Sequence, residues 1–221
     1  MKNIPRIFVG ENIQSGIHLP ASKDIVHYLT RVMRTDNCLV FGDGHEYNAV
    51  LSDDKKSLIV GNQTEHTDPS NDITLLFAPI KRTDDLVNMA TQMGVYAFQP
   101  VITDRTNANH INWERMQKIA IEASEQSNRN TVPKIHTPIR FSELDLKNTV
   151  FADERAAYGC DVKHNTKNIK SVLIGPEGGF SDSEFNALDN AGACGISLGK
   201  TILRAELAAA IAIAKVVEKW E

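Results

Sequence analysis

Two glycine-containing segments in the C-terminal half carry residue types that bind small organic ligands. The first is IGPEGGF at residues 174–180, and the second is LGKTILRAE at residues 198–206. Glycine lets backbone approach a ligand closely, and the charged Arg204 and Glu206 could stabilise charge during a reaction. Taken alone, the first loop indicates either a phosphate cradle or a tight turn. The GxGxxG and GxxxxGK(S/T) spacings are absent, so a dinucleotide or P-loop site is poorly supported.

The elements around these segments are predicted to alternate between strand and helix. Ser181 and Glu184 form a capping box at a helix start, directly after the first segment. Apolar runs predict strands at residues 73–78, 96–101, 149–152, 171–174 and 195–198, with helices beginning near residues 83, 112, 181 and 205. This alternation predicts an α/β domain with a parallel sheet, whose ligands bind beyond the carboxyl ends of the strands.

The N-terminal part has a different sequence pattern, in which short runs of strand-forming residues are separated by turn-forming residues. Strands are predicted at residues 7–9, 38–41 and 58–60, and a helix at residues 23–33. Such a small, strand-rich unit predicts a compact barrel. The polar segment at residues 63–71 is the best candidate for a linker.

Composition excludes several classes of protein. Three cysteines stand far apart without a CxxC pair, and the seven histidines are scattered, so we expect reduced thiols, a cytoplasmic location and no metal site. No stretch is apolar enough for a membrane span. The net charge of −4 argues against a nucleic-acid binder, although residues 1–34 are locally basic. Five basic residues there stand against Glu11 and Asp24: Lys2, Arg6, Lys23, Arg31 and Arg34.

The two loops together resemble the SPOUT methyltransferases, in particular the RsmE type, which methylate N3 of a uridine in 16S ribosomal RNA of the small ribosomal subunit. Four further blocks resemble that family: KIAIEASEQSNRN at 118–130, IKR at 80–82, RIF at 6–8 and HYLTRVMR at 27–34. The similarity therefore runs nearly end to end.

The resemblance implies a fold, a cofactor and an assembly. Residues 1–70 would form a PUA-like, RNA-binding β-barrel, and residues 71–221 a parallel-sheet SPOUT domain with a trefoil knot. The chain would form a homodimer, use S-adenosyl-L-methionine (SAM) without a metal, and act on 16S rRNA in the small subunit. The implied cofactor-binding residues are Ile174, Gly175, Pro176, Glu177, Gly178, Leu198, Gly199, Ile202 and Leu203.

The sequence departs from the family pattern in the second loop. Lys200 and Thr201 replace Pro and Arg, and Leu207 replaces a Thr, whereas the glycines, Arg204 and Glu206 are kept. The lost hydroxyl at residue 207 puts a role for that side chain in doubt, and Lys200 could alter the rim of the pocket.

Arg204 and Glu206 are the candidate catalytic residues. The neutral N3 of uracil is a poor nucleophile and must lose its proton, so a base or a stabilising cation is expected. We expect Arg204 to stabilise the developing negative charge, and Glu206 to orient the arginine or take part in proton removal. The alternative is structural, because an acidic residue suits a helix N-terminus, and residues two apart on a helix do not face each other.

Six basic residues are candidates for RNA contacts: Arg6, Arg31, Arg34, Lys81, Arg82 and Arg129. Contacts of this kind to phosphates position RNA without specifying its sequence. For each residue the alternative is a solvated surface charge.

Three rival functions remain open at this stage. They are a SPOUT methyltransferase for another RNA such as tRNA, a non-catalytic RNA-binding ribosome-assembly relative, and a nucleotide-phosphate enzyme that uses the loop at 175–179. SAM binding and methyl transfer separate the three.

Overall fold

The structure, a computed structural model of the chain, describes residues 4–10, 12–69, 71–107, 111–160 and 168–217. The chain divides into two compact units: Met1–Pro69 with Ile121–Val132, and Ser70–Ala120 with Pro133–Glu221. The segment Ile121–Val132, which the sequence analysis places in the second domain, therefore belongs to the first unit.

A five-stranded sheet forms the first unit, in the order β1-β3-β4-β5-β2. Its strands are β1 (Arg6–Phe8), β2 (His18–Pro20), β3 (Asn37–Gly42), β4 (His45–Leu51) and β5 (Ser57–Gln63). Strand β1 is parallel to β3, and the other neighbours are antiparallel. Between β3 and β4, φ is 52° at Asp43 and 79° at Gly44, as a two-residue type I′ hairpin requires.

The helix predicted at residues 23–33 is present but changes character halfway. Helix α1 (Lys23–His27) begins after Ser22, whose Oγ accepts a hydrogen bond from the Ile25 N–H, and continues as a π-helical turn, Tyr28–Met33. The i→i+5 bonding of the π-helical turn alters the spacing at which side chains share one face of the helix. Leu29 is fully buried in the core of the unit, whereas Val32 is 59% exposed.

Arg6 lies in the core of the first unit, where its guanidinium joins distant parts of the chain. Its Nε donates to Glu46 Oε2 at 2.8 Å, and its Nη1 donates to the carbonyls of Ser124 and Arg129. Its Nη2 donates to Asn130 Oδ1 at 2.6 Å. We therefore correct the prediction that Arg6 contacts RNA, because the side chain is buried and its donors are engaged within the protein.

A parallel sheet forms the second unit. Its main strand order is β12-β10-β11-β6-β7-β8, and β9 also pairs with β7. Its strands are β6 (Thr74–Phe77), β7 (Ala97–Ile102), β8 (Lys134–Ile135), β9 (Ile139–Arg140), β10 (Thr149–Ala152), β11 (Ser171–Ile174) and β12 (Cys194–Ile196). Every pairing is parallel, as the alternation of strands and helices predicts. Strand β6 lies inside the sheet, with β7 on one side and β11 on the other. The direction in which strands are added therefore reverses at β6, and this reversal is a topological switch point.

Four longer helices complete the chain: α2 (Thr83–Gln92), α3 (Trp113–Gln126), α4 (Asp182–Ala191) and α5 (Ala205–Val216). The boundary between the two units falls within α3. Helix α5 buries Ala208, Ala209, Ala212 and Ile213, and it packs against α2, β10 and β11. Helix α4 begins with the predicted capping box, since Ser181 and Glu184 bond to each other's backbone N–H. The trefoil knot stays a prediction.

Candidate active site

A cavity of about 420 Å³ lies in the second unit, beyond the carboxyl ends of the adjacent strands β12, β10, β11 and β6. Its volume falls within the range of about 300–1,000 Å³ that is typical of small-molecule sites. Both glycine-containing segments line it, together with the residues that follow β6 and β10. The predicted cofactor residues on its wall are Ile174, Gly175, Pro176, Glu177, Leu198, Gly199, Ile202 and Leu203.

The first loop is shaped by two of its glycines. A Cβ on Gly175 would lie 3.1 Å from the Phe180 ring. Gly179 has a φ of 69°, and a Cβ there would lie 2.1 Å from Glu154 Oε1. Glycine is favoured at 179 by the left-handed backbone, and a side chain there would also have to displace the Glu154 carboxylate.

Gly178 is the one predicted cofactor residue that does not line the cavity. Its carbonyl accepts a hydrogen bond of 2.9 Å from Arg105 Nη1, and a Cβ on it would meet Arg105 at ordinary contact distance. Gly179, one residue later, lines the cavity, and cofactor binding by Gly178 stays a prediction.

Arg105 braces the loop and was missed by the sequence analysis. The same Nη1 also donates to the Phe180 carbonyl at 3.1 Å, so one guanidinium fixes two peptide groups of the loop. Its neighbour Asp104 accepts a hydrogen bond from Ser181 Oγ at 2.6 Å, and the Asp104 N–H donates to Glu184. An isolated arginine after a strand gives no sequence signal for this role, which depends on contacts more than 70 residues apart.

The second loop leads into α5 through a conformation that only glycine adopts readily. Gly199 has a φ of 124°, with open space where a Cβ would be. Arg204 is the N-cap residue of α5 and has an extended backbone. Lys215, on the last turn of α5, donates to the Ser197 carbonyl at 2.7 Å and so ties the loop to the helix.

The two candidate catalytic residues lie on the cavity wall in different environments. Glu206 is only 7% exposed, and Arg82 Nε lies 3.8 Å from its Oε1. Arg204 is exposed, and its side chain makes no hydrogen bond or ion pair with any residue that the structure describes. The structure therefore shows no direct ion pair through which Glu206 could orient Arg204.

A second buried carboxylate lines the cavity, that of Asp153, and it forms an ion pair with Arg155. Its oxygens accept hydrogen bonds from Nε and Nη2 of Arg155 and from that residue's backbone N–H. Arg155 also pairs with Asp189 and lies 4.3 Å from the centroid of the Phe185 ring. Hydrogen bonds to Asp189 and Asp153 raise the pKa of Arg155, and Arg155 in turn lowers the pKa of Asp189.

The remaining predicted RNA-binding residues are divided between the units. Lys81 and Arg82 are exposed and line the cavity, where the Lys81 N–H donates to Glu177 Oε1 at 3.1 Å. In the first unit, Arg31 lies in a surface groove of about 750 Å³. Its neighbours there, which the sequence analysis did not single out together, are Ala21, Lys23, Val26, His27, Thr30, Lys55 and Lys56.

Arg34 and Arg129 lie elsewhere in the first unit. Arg34 is exposed, has a φ of 53° and ends the π-helical turn. Arg129 is partly buried and donates to Thr131 Oγ1, and burial lowers the pKa of its guanidinium.

Other kinds of site have no counterpart in the part of the chain that the structure describes. There, no group of three or more His, Cys, Asp or Glu side chains is placed to hold a metal ion. No helix within the same residues has the length and apolar character needed to cross a membrane.

Comparison with known proteins identifies the class. An RNA methyltransferase domain model matches residues 67–217, and an RNA methyltransferase PUA domain model matches residues 22–61. The ribosomal RNA small subunit methyltransferase E of Rickettsia conorii is 32% identical over 96% of this chain and 94% of its own length. The protein of the same name from Synechocystis is 31% identical over 86% of this chain and 70% of its own length.

A solved structure agrees over nearly the whole chain. The ribosomal RNA small subunit methyltransferase E from Neisseria gonorrhoeae, crystallised with S-adenosyl methionine, has a TM-score of 0.82 and 30% identity, covering 96% of each chain. The chain belongs to the ribosomal RNA small subunit methyltransferase E family of RNA methyltransferases. The predicted fold class, a PUA-like unit followed by a SPOUT-type parallel-sheet domain, is confirmed.

Proposed function

We propose that this protein transfers the methyl group of SAM to N3 of a specific uridine in 16S rRNA of the small ribosomal subunit. The observation that carries the proposal is the cavity at the carboxyl ends of β12, β10, β11 and β6. This cavity is lined by both glycine-containing loops and by Arg204 and Glu206. The names of the relatives, and the SAM in the gonococcal structure, support the same reaction.

The residues of the cavity fit SAM. Aliphatic side chains on its wall suit the adenine, and the open backbone at Gly199 lets polar atoms approach the chain. When bound, SAM supplies a methyl group on a sulfonium, which is electrophilic without help from a metal. The protein's task is then to align the acceptor and exclude water. The side chains that would enclose the cofactor are those of Ile174, Leu198, Ile202 and Leu203.

Arg204 and Glu206 are the side chains we assign to the acceptor base. Arg204 is exposed at the cavity wall, so its guanidinium is available to meet the negative charge that develops on the uracil oxygens. Glu206 is a buried carboxylate on the same wall and is suited to receive the N3 proton. The target base must leave its stack to reach them.

Basic side chains in both units are assigned to the RNA. In the first unit, the groove that contains Arg31 also contains Lys23, Lys55 and Lys56, a positive cluster that suits a phosphate backbone. Lys81 at the cavity would meet a phosphate near the target nucleotide, whereas the Arg82 guanidinium faces the Glu206 carboxylate. Arg34 and Arg129 stay candidates. This local charge explains how a chain with a net charge of −4 could bind RNA.

Three further properties belong to this proposal. Residues 1–70 would be the RNA-binding domain, supplemented by the segment at 121–132, and residues 71–221 the knotted catalytic domain. The chain would act as a homodimer, consistent with exposed apolar side chains at Met89 and Leu207 on α2 and α5. A cytoplasmic location fits a ribosomal substrate and three cysteines that form no disulfide in the structure.

The test is transfer of a labelled methyl group from SAM to purified small subunits, to protein-free 16S rRNA and to tRNA, with ribosomal substrates taken from a host that lacks this modification. We expect label in small subunits. Label in tRNA alone would replace the proposal with the tRNA alternative. SAM binding without transfer to any substrate would indicate a non-catalytic assembly factor.

A further inference from the structure

The Glu206 carboxylate needs a partner because it is almost completely removed from water. A buried carboxylate that stays ionised requires an opposite charge or hydrogen-bond donors. Among the residues that the structure describes, its ion-pair partner is Arg82, whose Nε lies 3.8 Å from Oε1. Arg204, two residues away in sequence, does not take this role.

Arg82 is placed so that it links two helix starts. It is the N-cap residue of α2, and Glu206 lies in the first turn of α5, the helix against which α2 packs. The guanidinium also reaches Asp85 Oδ2 at 3.4 Å. That second pair is about half exposed on both sides, so it contributes little to stability.

The distance between Arg82 and Glu206 has a chemical consequence. At 3.8 Å the pair is longer than a hydrogen bond, so the carboxylate is held by charge while its oxygens keep acceptor capacity. Asp153, in the same cavity, gives the contrast, because both its oxygens accept hydrogen bonds from Arg155. Of these two buried carboxylates, Glu206 is the one able to accept a proton from a substrate.

We propose that Arg82 is a positioning residue, which holds the Glu206 carboxylate at the cavity wall as the acceptor of the uracil N3 proton and leaves Arg204 for the uracil oxygens. This inference rests on the proposed function. As the N3–CH₃ bond forms and the S–CH₃ bond breaks, the N3 proton passes to Glu206 and the S–C electron pair stays on sulfur.

A double-mutant cycle tests this role. Glu206→Gln should lower kcat by about 10²–10⁴-fold, the usual contribution of a general base. Arg82→Gln should lower kcat by at least tenfold, Arg82→Lys should retain more of it, and the double variant should be no slower than Glu206→Gln alone. SAM affinity, measured by calorimetry, should change by less than twofold in all of them. Arg115→Gln is the matched control, because it removes an exposed arginine that pairs with Asp84 of the same helix α2.

A second measurement follows the ion pair without turnover. In ¹H–¹⁵N spectra, the Arg82 Nε–H resonance should shift in Glu206→Gln, which removes the neighbouring charge, but not in Arg115→Gln. If Arg82→Gln raises KM with kcat unchanged, or if the two substitutions multiply independently, Arg82 is an RNA contact and the positioning role is wrong, although the proposed function stands. A wild-type protein that transfers no methyl group would overturn both.

Discussion

Arg6 and Glu46 form an ion pair of 2.8 Å in which both side chains are more than nine-tenths buried. The remaining guanidinium nitrogens donate hydrogen bonds to the carbonyls of Ser124 and Arg129 and to the Asn130 side chain. These partners are separated from Arg6 by up to 124 residues. The pair therefore joins the N-terminal strand to the segment Ile121–Val132 within the first unit.

Replacing Arg6 should destabilise the first unit severely. Arg6→Ala leaves the Glu46 carboxylate buried without its cation, which typically costs about 3–5 kcal/mol. Urea denaturation followed by circular dichroism should show this loss in the free energy of unfolding. Arg31→Ala, which removes an exposed arginine of the same unit, should change it by no more than about 0.5 kcal/mol. A loss below 1 kcal/mol for Arg6→Ala would show that the network is not structural.

Glu125 should make the first unit sensitive to pH. Burial raises the pKa of this carboxyl, opposed by the hydrogen bond that its Oε1 accepts from the Phe8 N–H. A raised pKa in the folded state means that Glu125 contributes stability below its unfolded pKa of about 4.3, and that this contribution is lost as pH rises through the folded value.

The variant Glu125→Gln keeps an acceptor for the Phe8 N–H and removes the titration. Relative to the wild type, the variant should therefore be more stable at pH 7 than at pH 4, with a larger free energy of unfolding. Urea titrations of both proteins at the two pH values measure the difference. A gap between the proteins that is equal at both pH values would contradict the assignment.

The basic groove of the first unit should contribute to RNA affinity through charge alone. Replacing Arg31 and Lys55 by Gln should weaken binding to 16S rRNA and reduce the slope of log K against log salt by about 0.7 for each lost phosphate contact. SAM affinity should not change. Lys147→Gln, an exposed lysine outside the groove, provides the control for net charge. A salt slope equal to that of the wild type would remove the groove from the RNA interface.

Arg204 should act on the chemical step and not on cofactor binding. Arg204→Ala should lower kcat by about 10²–10³-fold, the usual effect of removing one donor to a developing oxyanion. Arg204→Lys should recover only part of this rate, because an ammonium cannot reproduce the planar fork of donors. Lys200→Ala, in the same loop but outside the cavity wall, should be near wild type. Near-normal turnover by Arg204→Ala would make the residue a helix cap without a catalytic role.

Much of the second unit could be predicted because its strands are buried on both faces and read as apolar runs. Strands β10 and β11 lie at the predicted residues, and the capping box of α4 is confirmed. Strands β8 and β9 were missed because two residues each are too short for any periodicity. In the first unit, strand β4 was missed although its side chains largely alternate between exposed and buried, because polar residues stand among its apolar ones.

The parts of the site that could be predicted are those formed by residues that are close together in the sequence. The cavity loops were identified because glycines and their neighbours are contiguous in the sequence. The partners of Arg6, Arg105 and Glu206 could not be predicted, because each ion pair or brace joins residues far apart in the chain. A basic residue near the N-terminus has the same sequence signature whether it contacts RNA or a buried carboxylate, and only the packing distinguishes the two.

The most direct measurement is nucleoside analysis of small ribosomal subunits that lack the modification, after incubation with this protein and SAM labelled in the methyl group. We predict one label per subunit, recovered from 16S rRNA as N3-methyluridine, and labelling that is slower by about 10²–10³-fold with Arg204→Ala. Label recovered in any other nucleoside, or no label despite SAM binding, would contradict the proposed function.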